Sequence, residues 1–363
     1  MLLGTRPSLL LSVGLILSAC QGSDAAQRPA ADAPRAQPEP RAARAERPAF
    51  PDDMRGITIS CWGIGKEWGS EGMRQTMLGL PEVGANWVAI HPYAHVDRQT
   101  ANLRPAPRGE QHVVAPIRWA REQGLSILIK PHLSYWGEFS WRGEVGWGDD
   151  EKRWQNFLTQ YRRWILGLAE LCEREGAHAF VVGTELRLAE PRTAYWTKLI
   201  AEVRQRYSGP LTYAANWDDV THVGFWSELD AIGIQAYMPL SDRENPPLSE
   251  VRAAWKKHER WLAQYSREQG RPVVLTEVGY TNIATAAMRP WEPSQGKTDH
   301  PLQARCLRTA LETVESSKVI KGSFIWKWFP TPGTQGPDDF TVQTPAFKRL
   351  LRETWAPPAR KSR

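Results

Sequence analysis

Cysteine is scarce in this chain: there are four, at positions 20, 61, 172 and 306, among 363 residues. Cys20 stands apart near the N-terminus, and the other three are odd in number and show no metal-like spacing. A disulfide framework is therefore not what holds the chain together, although one bridge among the three stays open. Also missing is the apolar run of ~20 residues that a membrane-spanning helix needs. The run from Leu9 to Leu17 is short and is interrupted by Ser12 and Gly14. There is no phosphate-binding glycine loop, and "SCWGIGKEWG" has its glycines in the wrong arrangement for an open dinucleotide-binding sheet. No basic stripe with interleaved aromatics is present, and the net charge of +6 comes from scattered residues. These absences argue against nucleic acid as a partner.

The N-terminal segment has a different character. Arg6 precedes the Leu9–Leu17 run, whose length suits the core of a secretory signal. The ending Leu17-Ser18-Ala19-Cys20 resembles a bacterial lipoprotein box. That resemblance implies a signal peptide over 1–19, cleavage before Cys20 and lipidation of its thiol. Gln21 in place of Asp favours anchoring in the outer membrane. Residues 21–50 hold ten Ala, five Pro and five Arg with no apolar period. Such a segment cannot bury enough surface to offset its chain entropy, so 20–50 is expected to be a tether. The expected product is exported and lipid-anchored to the cell envelope. A folded domain over 51–357 and a basic tail over 358–363 follow, and a monomer is expected.

Short β-rich runs recur through that domain: "RGITISCWG", "NWVAIHPY", "LSILIKPHL", "AFVVGTEL", "PLTYAANWD", "DAIGIQAYM", "RPVVLTEVGY" and "GSFIWKWF". Amphipathic segments separate most of them. In 151–176 apolar residues fall at Trp154, Phe157, Leu158, Tyr161, Ile165, Leu168 and Leu171, a helical period that Gly176 ends. Strands alternating with helices imply a parallel sheet, and eight such units predict a closed (β/α)8 TIM barrel. Catalysis in such barrels sits at the C-terminal strand ends. Here those ends carry Trp62, His91, Lys130, His132, Glu185, Asn216, Trp217, Tyr237, Glu277 and Trp326. Many of the 18 tryptophans fall at strand ends or in loops, where flat apolar faces suit the C–H faces of sugar rings.

Glu185 and Glu277 both close apolar runs, and they lie 92 residues apart. At roughly 31 residues per βα unit, that separation is about three units, from strand 4 to strand 7. Two carboxyls facing each other across a barrel mouth are what glycoside hydrolysis requires, one protonated to assist the leaving group and one ionised. The bland alternative is a structural ion pair, for example with Lys130. His91, His95 and His132 raise the possibility of a metal, but "ITISCWG" has no His-x-His, and neither metal nor cofactor is expected. The long loop 136–154 follows strand 3, and Trp141 and Arg142 are expected to wall a cleft there. The loop 285–300 is its counterpart, with Trp291 as a platform. Asp218 and Asp219 divide between a helix start and a substrate role.

Glutamates ending strands 4 and 7 mark the clan of retaining glycosidases built on such barrels. The phrases "GTEL", "LTEVGY", "KPH" and "IQAYMPL" resemble glycoside hydrolase family 113, the β-mannanases and their relatives, over about residues 54–345. The resemblance implies that Glu185 is the acid/base and Glu277 the nucleophile. It also implies that Tyr237 hydrogen-bonds the nucleophile, that Trp326 floors the sugar, and that Lys130, His132 and Asn216 hold sugar hydroxyls. The implied partner is a β-linked polysaccharide or oligosaccharide, of β-1,4-mannan type. One departure stands out: Thr184 occupies the position where most of the clan has Asn. The rival from another class is a non-catalytic surface lipoprotein that captures glycan on an enzyme fold.

Overall fold

The computed structural model describes residues 48–292, 296–330 and 339–355. Cys20, the signal peptide, most of the tether and the basic tail therefore lie outside the described residues.

Among the described residues eleven strands run in chain order: β1 (Met54–Ile59), β2 (Trp87–Ile90), β3 (Tyr93–Val96), β4 (Leu103–Ala106), β5 (Ser126–Ile129), β6 (His132–Ser134), β7 (Ala179–Thr184), β8 (Leu211–Asn216), β9 (Ile232–Gln235), β10 (Val273–Val278) and β11 (Ile320–Trp328). Eight of them close a parallel barrel in the order β1-β11-β10-β9-β8-β7-β5-β2. This is the (β/α)8 barrel that the alternation predicts. β7 and β10 are its fourth and seventh strands, with β8 and β9 between them.

Around the barrel run α1 (Glu71–Leu78), α2 (Gln111–Glu122), α3 (Glu151–Glu175), α4 (Thr193–Arg204), α5 (Leu248–Gln269), α6 (His300–Ser316) and α7 (Pro345–Thr354). The Asp150 carboxylate accepts from the Arg153 amide at the start of α3, and Gly176 ends that helix at φ 78°. The left-handed conformation suits glycine. The apolar stripe read from the sequence is the buried face of α3. In one respect the eightfold repeat breaks. Among the described residues the fifth crossover holds two 3₁₀ turns, Val220–His222 and Trp226–Glu228, and no α-helix.

Two runs expected as single strands are each split. "NWVAIHPY" becomes β2 and β3, and "LSILIKPHL" becomes β5 and β6; the breaks fall at His91-Pro92 and Lys130-Pro131. Proline has no amide hydrogen for the ladder. Beyond the breaks the chain builds a second sheet, β4-β3-β6, outside the barrel order. The Lys130 amide still donates to Ile90 O (2.9 Å) and the His132 amide to Pro92 O (2.9 Å), so both strand ends stay registered where the site is built.

Packing follows strand alternation. Met54, Trp87, Ala89, Leu128, Ala179, Val181, Ala214, Val274 and Phe324 form a cluster of strand residues inside the barrel, joined by Phe50. Phe180, Val182, Tyr213, Ile234 and Leu275 instead join the larger cluster that contains the helix faces. The thiols of Cys61, Cys172 and Cys306 are buried and free.

Candidate active site

Glu277 lies in β10 and is almost fully buried. The Lys130 ammonium is bonded to its Oε1 and also donates to Thr276 O at 3.0 Å. The Tyr237 hydroxyl donates to Oε2 at 2.6 Å. Each carboxylate oxygen thus has a dedicated donor. Charge-assisted bonds of this kind are short and strong. Burial pushes the Tyr237 hydroxyl well above its usual range and the Glu277 charge adds to this, so the phenol stays a donor. Burial also lowers Lys130, while Glu277 pulls the other way.

Behind this group lie two histidines. His132 Nε2 is 3.6 Å from Glu277 Oε1. The His132 ring stacks on His91 at 4.6 Å between centroids, and both face the Trp326 ring. Burial holds both imidazoles well below 6.5, assisted for His91 first by Lys130 and for His132 first by Arg142. They are therefore neutral. Lys130, His91 and His132 have no exposed surface. Lys130 and His132 lie against Glu277 and His91 lies on His132, and none of the three lines the cleft described below.

Glu185 follows β7 with φ 51°, a left-handed conformation that costs a residue with a Cβ of order 1–3 kcal/mol unless its surroundings impose it. The surroundings do so. Its amide donates to Ala214 O (2.8 Å), and the next amide, Leu186, donates to the Tyr213 hydroxyl (2.7 Å). That hydroxyl in turn donates to Glu190 Oε1 (2.8 Å). Between Val181 and Thr184 the β7–β8 register shifts, the kind of irregularity that re-aims side chains beside active sites. Gly183 sits in this stretch because a Cβ there would lie 2.8 Å from both the Trp196 and Tyr213 rings.

The Glu185 carboxyl accepts from Arg142 Nη1 at 2.6 Å on Oε2. Burial raises its proton affinity, Arg142 opposes that, and the Glu277 charge raises it further; the balance is upward. The two glutamates are thus held differently, one by two donors and the other by burial set against one guanidinium.

Both open into one cleft of about 730 Å³. Trp326, Trp141 and Arg142 line it, as do Asn216 and Trp217. Trp217 stacks on Trp291 at 5.7 Å, which forms an aromatic step beside the glutamates. The Asn216 amide is tied to Asp218 Oδ1 at 2.7 Å. Asp219, the neighbour that sequence could not separate from Asp218, is buried and paired with Arg187 at 3.2 Å. Trp62 does not line this cleft; it is exposed and lies flat on Phe329 at 3.9 Å. The Thr184 hydroxyl is buried and is also absent from the lining.

Sequence reasoning missed Tyr135, Arg187, Glu292 and Phe340, which also line the cleft. Tyr135 directly follows β6, so strand-end logic could have found it once the second sheet was known. Phe340 carries no local signal. Among the described residues, no group of three or more His, Cys, Asp and Glu is placed to hold a metal ion.

Known proteins bear on this geometry. The family model described as Glycoside Hydrolase Family 113 matches residues 57–336, more than half of the chain. No curated protein matches. A solved GH113 β-1,4-mannanase superposes with a TM-score of 0.74 at 21% identity, covering 85% of this chain and 99% of that one. A GH113 β-mannanase from Alicyclobacillus acidocaldarius superposes at 0.72 with 24% identity, over 84% and 97%. A β-glucuronidase from Faecalibacterium prausnitzii reaches 0.59 at 14% identity over 85% of this chain and 49% of its own. At these identities the structures speak to the fold, whereas the family match runs from the first barrel strand to the eighth and takes in both glutamates. The chain belongs to glycoside hydrolase family 113 and is a glycoside hydrolase.

Proposed function

We propose that this hydrolase cleaves a β-1,4-mannan-type polysaccharide with retention of configuration, with Glu277 as nucleophile and Glu185 as acid/base. The observation that carries the assignment is the asymmetry of the two carboxyls. Lys130 and Tyr237 each engage one oxygen of Glu277 and so fix its carboxyl in place for attack. Burial raises Glu185, as suits a group that must arrive protonated. In the first step Glu277 attacks the anomeric carbon while Glu185 gives its proton to the departing glycosidic oxygen. In the second, Glu185 takes a proton from water, the resulting hydroxide equivalent attacks the same carbon, and the bond to Glu277 breaks. Trp326, half-buried beside the nucleophile, offers the sugar a flat apolar face, and the Trp217–Trp291 step offers another to a neighbouring unit. Mannan is named because solved relatives carry that activity in their names; Thr184, where most of the clan has Asn, is compatible with it.

The test is a reducing-end assay on mannan, glucomannan, xylan and β-glucan, followed by two variants. Glu277→Ala is expected to lose activity by a factor on the order of 10⁴ or more. Glu185→Ala is expected to regain turnover of an activated aryl glycoside when azide is added, giving a glycosyl azide of retained configuration. Full activity on mannan in either variant would sink the assignment, and glycan binding without new reducing ends would favour a capture protein. Export and lipidation at Cys20 belong to the same proposal. Fatty-acid labelling that persists in Cys20→Ser would overturn them.

A further inference from the structure

Arg142 comes from the loop after β6, and its side chain reaches the fourth barrel strand's glutamate. The loop is firmly seated. Gly143 lies against the Trp141 ring, where a Cβ would come within 2.1 Å of the ring atoms. A 3₁₀ turn spans Arg142–Glu144, and the Val145 amide donates to Arg142 O at 3.2 Å. The Leu188 amide, three residues past Glu185, donates to Gly143 O at 3.3 Å, so the arginine loop and the glutamate's own loop are tied together. The Arg142 guanidinium rests over the Tyr135 ring at 5.7 Å and is largely buried.

We propose that Arg142 is a positioning residue for the acid/base: its Nη1 holds Glu185 Oε2, which leaves Oε1 to give the proton to the glycosidic oxygen and to take one back from water. This inference rests on Glu185 being the acid/base. A cleft-wall residue would need no such bond, and the expectation from sequence was a wall only. Other groups face Glu185 too: Lys130 from the end of β5, Tyr237 after β9, Glu277 in β10 and Glu190 on its own loop. Of these groups Arg142 is the one that donates to the Glu185 carboxyl among the described residues.

The physical consequence is a contest. Burial and the Glu277 charge drive Glu185 toward its protonated form, which the first step uses. Arg142 drives it toward the anion, which the second step uses as base. Without Arg142 the upward pull is opposed mainly by Lys130, so Glu185 keeps its proton to higher pH.

The test compares wild type with Arg142→Gln and Arg142→Lys on β-1,4-mannan and on a dinitrophenyl β-mannotrioside, whose leaving group needs no proton. For Gln, the alkaline limb of kcat/KM on mannan should move up by about 1 pH unit or more. The loss of kcat/KM on mannan should exceed that on the aryl substrate by roughly tenfold or more, since general-acid help is worth ~10²–10⁴-fold. Lys keeps a cation within reach and should hold the limb near wild type while still showing the larger loss on mannan. If Gln does not fold, Lys alone decides by that ratio. A rise in KM equal on both substrates with an unmoved limb would overturn the inference. Failure of azide rescue in Glu185→Ala would instead undo the acid/base assignment beneath it.

Discussion

Tyr237 shows how much of the site rests on single donors. Its hydroxyl makes a 2.6 Å bond to Glu277 Oε2, and hydrogen bonds to charged groups contribute about 1.5–3 kcal/mol. Tyr237→Phe keeps the ring and removes that bond. At 1.36 kcal/mol per tenfold, kcat should fall by roughly 10–150-fold with KM within about threefold. Steady-state kinetics on mannan would check this, and a large KM change with intact kcat would show that the hydroxyl serves the substrate instead. The two glutamates were legible from sequence because a carboxylate ending an apolar strand is costly and needs a reason. Of their partners, Tyr237 on Glu277 was implied by the family resemblance and Lys130 was named as an ion-pair candidate, whereas Arg142 was expected only as a cleft wall. Lys130 reaches Glu277 across 147 residues of chain and Arg142 reaches Glu185 across 43, and no local spacing encodes which cation meets which acid. Lys130 was expected among the sugar contacts, and it is fully buried and bonded to Glu277.

Among the elements, the eight barrel strands were readable because each is short, β-rich and followed by turn residues. The splits after β2 and β5 escape a reading by apolar pattern alone, although Pro92 and Pro131 announce them. The missing fifth α-helix had a signal too, since "WDDVTHVGFWSELD" has no sustained helical period. β7 makes a demand on a single residue close to the site. Gly183 faces two aromatic rings at contact distance, and a methyl group added there would also lie 3.0 Å from the Tyr161 hydroxyl. Gly183→Ala should overpack this layer and cost about 1–3 kcal/mol. Because Glu185 is two residues on, activity should fall along with stability. Thermal and urea unfolding would measure it, and a change below about 0.5 kcal/mol, the range of an ordinary surface substitution, would mean the layer gives way freely.

At the scale of the whole molecule, buried titratable groups predict how stability varies with pH. Glu190 is 1% exposed, and burial pushes its carboxyl up to about 8 from an ordinary 4.5. Below about 4.5 both folded and unfolded chains hold that proton. Between there and about 8 the folded chain keeps a proton that the unfolded chain has released. Stability must therefore fall as pH rises through this window, by at most about 1.4 kcal/mol per pH unit for one group. Burial raises Glu185 as well, and it acts in the same direction. His91 and His132 have the opposite sign. Their folded imidazoles refuse protons that the unfolded chain accepts below about 6.5, so their contribution is lost as pH falls. The two effects together place maximum stability in the weakly acidic range. Glu190→Gln replaces the carboxyl by a neutral amide that can still accept from Tyr213. Urea midpoints measured from about pH 5 to 9 should show the decline above about pH 6.5 flattened in the variant and the acid-side decline unchanged. An equally steep alkaline decline in Glu190→Gln would mean that the proton released on unfolding belongs to another group, with Glu185 the next to test.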